Sequence, residues 1–467
     1  MRKIGSMEDL KGIFKNFNKS VIGIGVTAFN RLGPEKFIPG YQIVCLSHGR
    51  DLDLIKSKVK VFSAEESEGR HLNIGRNSSS LIGLENVKEF LNSLENPHLL
   101  FYKVTKKTEK ICDEEGWDII GNSIYEGMDN KAFLREILDK CGLRKIPGEV
   151  CDLRGKDYPE LRKRYGNKIV IQLLKSGGGK GTFFVRSPED FERAKGKVLE
   201  KGSSEVVVAK FIEGPSPSLT GCVTMHGIIY TNLQYQLLDI PEVMNPKVGN
   251  GVFCGHEWTS SDDFPPGIQR QAYEYAEKIG EYLKGMGYKG IFGLDMVIDS
   301  KENRIYVTEL NPRLLGSFPL ITMVHLRNSE TPLIMFHIME FLGIDYEMDL
   351  EKINELVKKP KTGTQLILYN KWGKVVRNRA SLRAGFYSVK DGKLVYRRPG
   401  YRLEDLRGED EFLLADDPPF KNTPFRPHER IVRIVTLKRI MDKKTCRLNH
   451  WAKKVVGLIY MELDFTS

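Results

Sequence analysis

Two short apolar runs near residue 300 constrain this chain more than any other feature. Residues 290–299, Gly-Ile-Phe-Gly-Leu-Asp-Met-Val-Ile-Asp, and residues 304–310, Arg-Ile-Tyr-Val-Thr-Glu-Leu, are rich in β-branched and aromatic side chains, and residues 300–303 lie between them. That pattern predicts two antiparallel strands joined by a turn. Each strand carries an acidic residue inside its apolar run, Asp295 and Glu309. Such placement is unusual without a partner. On neighbouring strands the two carboxylates can meet on one face, with the Asn311 amide oxygen beside them. Carboxylate and amide oxygens, with positions left for phosphate and water, are the usual surroundings of Mg²⁺. Arg313 follows Pro312, and its guanidinium can hold a carboxylate or a transferring phosphoryl group through two bonds. A hairpin with ordinary surface carboxylates is the alternative.

A glycine-rich segment adds a second constraint. Leu174-Lys175-Ser176-Gly177-Gly178-Gly179-Lys180-Gly181-Thr182 lies between expected strands at 168–174 and 183–185. Glycines let backbone N–H groups approach phosphate oxygens, and Lys180 adds a cation. The order is strand–loop–strand and GxxxxGK[ST] is not matched, so a Walker loop is excluded. A bare flexible hairpin is the other explanation.

The rest of the chain supplies the frame. Strands are expected at 20–26, 41–46, 99–104 and 117–121, with a helix at 105–115, which implies an α/β domain with a largely parallel sheet. Gly23-x-Gly25 lacks the third glycine of a dinucleotide fingerprint, since position 28 is Ala. A helix opens at Asp129-Asn130 with Phe133, Leu134, Ile137 and Leu138 on one face. Further expectations are helices at 190–199, 267–285 and 332–342, a strand at 205–211 and a β segment over 218–236. Residues 346–362 form a helix and linker into a β-rich tail with strands at 364–369, 384–389 and 431–436 and a turn at Asp391-Gly392. The basic run 438–454 is expected to be an amphipathic closing helix. His256 and Trp258 fall in an expected loop where they could line an acceptor site. Gln234 and Gln236 face one side of a strand, where one could reach a ribose.

Composition narrows the class. At 467 residues, 40% hydrophobic and 28% charged, the chain is an ordinary folding sequence. No apolar stretch nears the roughly 18–20 residues of a membrane span, and the first residues lack the apolar core of a secretory signal. The seven scattered cysteines show no metal spacing and fit free thiols in a reducing compartment. A cytoplasmic protein is expected. The net charge of +11 sits in the tail: residues 361–467 carry 23 Lys and Arg against 12 Asp and Glu, and the remainder balances at 49 of each sign. This marks a basic C-terminal surface.

Over roughly residues 129–320 the chain resembles the ATP-grasp superfamily. The resemblance rests on the Asp-Asn-Lys helix start, the loop SGGGKGT, the segment Val208-Ala209-Lys210-Phe211-Ile212-Glu213-Gly214, and the hairpin GLDMVID…VTELNPR. It implies an α/β (α+β) ATP-grasp fold in three parts: a pre-ATP-grasp domain over 1–128, a catalytic domain over 129–345 (subdomains 129–213 and 214–345), and a linker with a basic β-rich domain over 346–467. It also implies roles. Lys131 contacts ATP phosphates, and Ser176, Gly177, Gly178, Gly179, Lys180, Gly181 and Thr182 form a lid over them. Lys210 and Ile212 belong to the hinge that binds adenine through its backbone. Asp295, Glu309 and Asn311 match the Mg²⁺ ligands and Arg313 the residue stabilising the acyl-phosphate step, with Lys180 as the second catalytic cation. Gln172 stands where a lysine is usual, its charge supplied by Lys175 or Lys180, and Ala209 replaces the hinge glutamate.

The function expected is an ATP-dependent ligase. A carboxylate is phosphorylated to an acyl phosphate, and an amine displaces phosphate to give an amide or peptide bond. ATP and Mg²⁺, with Mn²⁺ as an alternative metal, are the cofactors. The substrates are small molecules or peptides; no nucleic acid or membrane partner is expected, and a homodimer is. Catalysis is mainly electrostatic and needs no covalent nucleophile. Two alternatives remain: a bicarbonate-activating carboxylase-type enzyme, and a degenerate scaffold binding an anionic partner.

Overall fold

In a computed structural model, residues 2–123, 127–175, 181–248, 250–260, 263–443 and 445–466 are described. The N-terminal segment forms a five-stranded parallel sheet in the order Lys60–Ser63, Gln42–Cys45, Val21–Gly25, His98–Leu100, Asp118–Ile120. Parallel neighbours need crossovers, which the helices Leu52–Lys56, Glu85–Asn92 and Lys106–Glu115 supply. Both faces of the sheet are covered, so its strands are apolar throughout: Val21 packs to one side, Ile22 and Ile24 to the other. The strand order runs outward in both directions from Val21–Gly25. Such a reversal opens a crevice beyond the carboxyl ends of the strands. Gly23 is explained by packing, since a Cβ there would lie 2.2 Å from the Tyr41 hydroxyl.

A four-stranded antiparallel sheet follows, in the order Gly148–Asp152, Glu205–Lys210, Ile169–Leu173, Thr182–Val185. The helices Tyr158–Tyr165 and Pro188–Glu200 cover one of its faces through Leu161, Phe191 and Val198.

The centre is an eleven-stranded sheet. It begins with Arg304–Asn311, Gly290–Asp299, Pro217–Thr224, Gln234–Leu238 and Phe253–Trp258, and continues without a break into Thr364–Tyr369, Arg430–Thr436, Phe412–Ala415, Gly385–Lys390 and Lys393–Arg398. One face packs on the helices Pro266–Gly285 and His450–Leu463. The other packs on Phe318–Arg327, Leu333–Leu342 and the N-terminal segment.

Three expectations change. The β segment over 218–236 is three strands, Pro217–Thr224, Gly227–Tyr230 and Gln234–Leu238, because Gly227 at φ +131° turns the chain back. His256 and Trp258 lie in the strand Phe253–Trp258 and not in a loop. Its polar residues are buried and hydrogen-bonded, so they hide an inner strand from a reading based on polarity. The basic run is a small hairpin, Met441–Asp442 with Arg447–Leu448. The closing helix starts only at His450, where the Asn449 side chain accepts from the Ala452 N–H. All seven cysteines are unpaired. Among the described residues no helix is long and apolar enough to cross a membrane.

Candidate active site

The hairpin pairs Asp295 directly with Glu309, and a bulge makes this possible. The register steps from Asp295 opposite Glu309 to Met296 opposite Val307, which leaves Thr308 unpaired. Ile305 and Val307 point into the core under the helix Pro266–Gly285. Strict alternation would send Glu309 after them. The extra residue shifts the phase, so Glu309 emerges on the opposite face beside Asp295. The Thr308 hydroxyl pins the bulge by donating to the Asp295 carbonyl at 3.0 Å.

Asp295 is enclosed by amides. Gln236 Nε2 donates to its Oδ1 at 2.5 Å, and Asn311 Nδ2 to its Oδ2 at 3.1 Å. Burial, and then the facing Glu309, hold its carboxyl up at about 7. Asn311 passes the chain onward: its Oδ1 accepts from Arg313 Nη2 at 2.8 Å. Arg313 Nη1 donates to the Tyr102 hydroxyl at 2.6 Å, and its guanidinium lies 5.0 Å from the centre of that ring. Tyr102 belongs to the loop beyond the carboxyl end of His98–Leu100, in the crevice the parallel sheet opens. On the other side Lys131, almost wholly buried, places Nζ 4.0 Å from Glu309 Oε1. Its backbone N–H donates to the Leu174 carbonyl at 3.0 Å, which sets the helix Lys131–Lys140 against the start of the glycine-rich segment.

The two facing carboxylates repel, and a divalent ion would relieve this. The donor set therefore fits Mg²⁺. Asp295 and Glu309 would hold it, with phosphate oxygens and water completing the shell. Asn311 turns its nitrogen, not its oxygen, toward Asp295, so ligation through Asn311 requires its amide to rotate.

The small sheet faces this hairpin. Gln172 lies opposite Thr182 and its Nε2 donates to Thr182 Oγ1 at 3.3 Å. Gly181 accepts from Leu173 N at 2.9 Å. Lys175 is exposed. Ser176, Gly177, Gly178, Gly179 and Lys180 lie outside the described residues. At the hinge, Lys210 N–H donates to the Pro147 carbonyl at 2.8 Å. Proline has no N–H to return that bond, so the Lys210 carbonyl has no ladder partner on that side. Ile212 is buried against Val297 and Tyr306, with Ile146 alongside. This apolar floor lies on the same hairpin face as Asp295 and Glu309.

The structure thus brings Lys131, Asp295, Glu309, Asn311 and Arg313 into one cluster, with Gln172, Thr182, Lys210 and Ile212 on the small sheet. Sequence inspection missed Tyr102, Pro147 and the floor of Val297 and Tyr306. It offered Gln234 or Gln236 to a ribose, whereas the Gln236 side chain binds Asp295. His256 is buried, with Nε2 and Ser218 Oγ 2.6 Å apart, and burial pushes its imidazole down to about 3. It is a neutral structural group.

A small antiparallel sheet set over a carboxylate-bearing hairpin, with a parallel α/β segment at its end, is the architecture of an enzyme that grips a nucleotide between two sheets. Residues 128–317 match the family model described as the ATP-grasp domain. A [butirosin acyl-carrier protein]–L-glutamate ligase of Niallia circulans is 24% identical over 244 residues, covering 50% of this chain and 55% of that one. The chain spans about half, or less, of the length of the curated relatives it matches. Among solved structures, a biotin carboxylase complex from Campylobacter jejuni superposes with a TM-score of 0.59 at 16% identity, covering 91% of this chain and 88% of that one. An ADP complex of N5-carboxyaminoimidazole ribonucleotide synthetase gives 0.55 at 12% identity, covering 95% and 97%.

Proposed function

We propose that the chain is an ATP-dependent ligase that converts a carboxylate to an acyl phosphate and joins it to an amine, releasing ADP and phosphate. The observation that carries this is the relay Arg313–Asn311–Asp295, with Glu309 opposite Asp295 and Lys131 behind it. Adenine would lie over Ile212, Val297 and Tyr306, with its amino group donating to the free Lys210 carbonyl. The phosphates would then run toward Lys131 and the segment Lys175–Thr182. Mg²⁺ held by Asp295 and Glu309 would neutralise phosphate charge. Arg313 would orient the acceptor carboxylate and stabilise charge on the phosphoryl group as it transfers. The division at 128/129 and 345/346 belongs to this proposal. The first part would contribute Tyr102 and the second the nucleotide groove.

The carboxylase-type alternative is less well supported. Bicarbonate needs a base near the transferring phosphoryl group, and the positions after Arg313 are the buried apolar Leu314 and Leu315. The deciding experiment measures ADP release over pairs of carboxylates and amines, with hydroxylamine as a trap. A hydroxamate formed only with ATP and a carboxylate supports the ligase. Release of AMP, or bicarbonate-stimulated ADP release alone, overturns it.

A further inference from the structure

The crevice beyond the parallel sheet widens into a cavity of about 400 Å³, within the roughly 300–1,000 Å³ usual for small-molecule sites. The loops after Gln42–Cys45 and Lys60–Ser63 form one wall and residues 417–430 the other. His48, Glu65, Arg76, Asp417, Phe420 and Arg430 line it. The walls are locked together. Asp416 and Asp417 both adopt left-handed backbone, φ +65° and +74°, a conformation non-glycine residues seldom take and one that gathers at ligand sites. The buried Asp51 holds this turn by accepting both backbone N–H groups, at 2.9 and 3.2 Å. Gly49 leaves room for it, since a Cβ there would lie 2.1 Å from Asp417 Oδ1.

The charges in the cavity do not cancel locally. Arg76 sits among Glu65, Asp417 and Glu429 at 3.5–3.6 Å. Glu65 also accepts from the His48 and Leu72 amides, and Glu429 from the Arg426 amide. Asp417 has only its share of Arg76 as an ion partner among the described residues, and it faces Asp51, Glu65 and Asp416. Its carboxyl is pushed up to about 7, first by burial. Arg430 is exposed to the cavity and, among the described residues, has no carboxylate within ion-pair distance. It neighbours Tyr369, Asp416, which is itself paired with Arg433, and Tyr102, the phenol that Arg313 holds. An acidic cluster that shares one guanidinium, and an arginine with no carboxylate in contact among the described residues, therefore share the cavity. Phe420, 39% exposed with its ring edge-on to His48, supplies an apolar surface.

We propose that this cavity is the amine-substrate site and that it takes a zwitterionic α-amino acid with an apolar side chain. The carboxylate of the ligand lies on Arg430, its ammonium by Asp417 and its side chain on Phe420. This assignment rests on the ligase function above, because it makes the cavity the neighbour of Arg313 through Tyr102.

The test is calorimetric titration of the full chain with L-leucine, L-methionine and L-phenylalanine, each with and without Mg-ATP, and with Mg-ATP alone. The amide and the deaminated acid of each amino acid are titrated in parallel. At least one amino acid should bind with Kd below about 1 mM, and loss of either charged end should weaken it tenfold or more. Arg430→Gln should weaken the amino acid tenfold and leave its amide unchanged. Asp417→Asn, whose side chain tolerates the left-handed turn, should weaken the amino acid and leave the deaminated acid unchanged. Melting curves matching wild type exclude misfolding. If no amino acid binds, or both variants bind it as wild type does, the proposal is overturned. Mg-ATP binding in the same titrations separates the two ideas, because its absence sinks the ligase function whatever the amino acids do.

Discussion

Arg313 donates through Nη2 to the amide oxygen of Asn311 at 2.8 Å, while the amide nitrogen of Asn311 donates to Asp295 at 3.1 Å. The two contacts make Asn311 a coupling element. If the amide rotates to offer its oxygen to a metal beside Asp295, the same rotation releases Arg313 toward the acceptor. Arg313→Lys keeps the charge and loses the paired donors. It should lower hydroxamate formation by about a hundredfold and change ATP affinity by less than about threefold, since the contact strengthens only as charge develops. Hydroxamate formed at the wild-type rate would contradict this.

Glu309→Gln should reduce ADP release by about a hundredfold or more, through loss of a metal-binding oxygen. The fold should hold or gain slightly, because one of two facing carboxylates is neutralised. Thr308→Val should do the opposite to stability: it removes the hydroxyl that pins the bulge to the Asp295 carbonyl, and the melting temperature should fall. Similar melting of the two variants would refute the role given to the bulge.

Pro147→Ala restores an N–H opposite the Lys210 carbonyl. If that N–H closes the ladder, the carbonyl is lost to adenine, and ATP should bind about three- to tenfold more weakly. Inosine triphosphate, which lacks the amino group, should be unaffected by the substitution. Equal weakening of both nucleotides would argue against the hinge carbonyl as the adenine acceptor.

Burial, together with the neighbouring Asp416, raises the Asp51 carboxyl to about 6, against about 3.9 in an unfolded chain. The folded chain thus keeps this proton to higher pH. The stability it contributes is present below about pH 4 and is lost as pH rises through about 6. Asp51→Asn retains an oxygen for the Asp416 and Asp417 amides and never ionises. Its melting temperature relative to wild type should rise between pH 4 and pH 7, with most of the change before 6.5. A difference independent of pH would show that folding leaves the Asp51 carboxyl at its unfolded value.

Much of this site was legible in the sequence because its parts are local. Asp295, Glu309, Asn311 and Arg313 lie within one hairpin, and apolar runs around two acids announce it. Lys131 follows a visible helix cap at Asn130. What escaped notice depends on tertiary placement. Tyr102 reaches Arg313 only because the parallel sheet abuts the hairpin end. Arg76, Asp417 and Arg430 come together from opposite ends of the chain. Pro147 looked like loop punctuation, and its role appears only once Lys210 is seen opposite it. The strand Phe253–Trp258 was hidden by His256 and Glu257, whose burial is sustained by Ser218 and by the Ile440 and Met441 amides. The bulge at Thr308 left no mark that composition or period would reveal.

The unbroken pairing of Phe253–Trp258 with Thr364–Tyr369 has a consequence for anyone who handles the molecule. A truncation ahead of residue 364 would not shed an appendage. It would strip the edge from an inner strand, baring a row of unsatisfied amides and carbonyls beside a buried histidine, and such an edge recruits other chains. Dissection into separately expressed pieces should therefore yield aggregates for the middle piece. Complementation, with the C-terminal fragment supplied in trans during refolding, is the way to recover it.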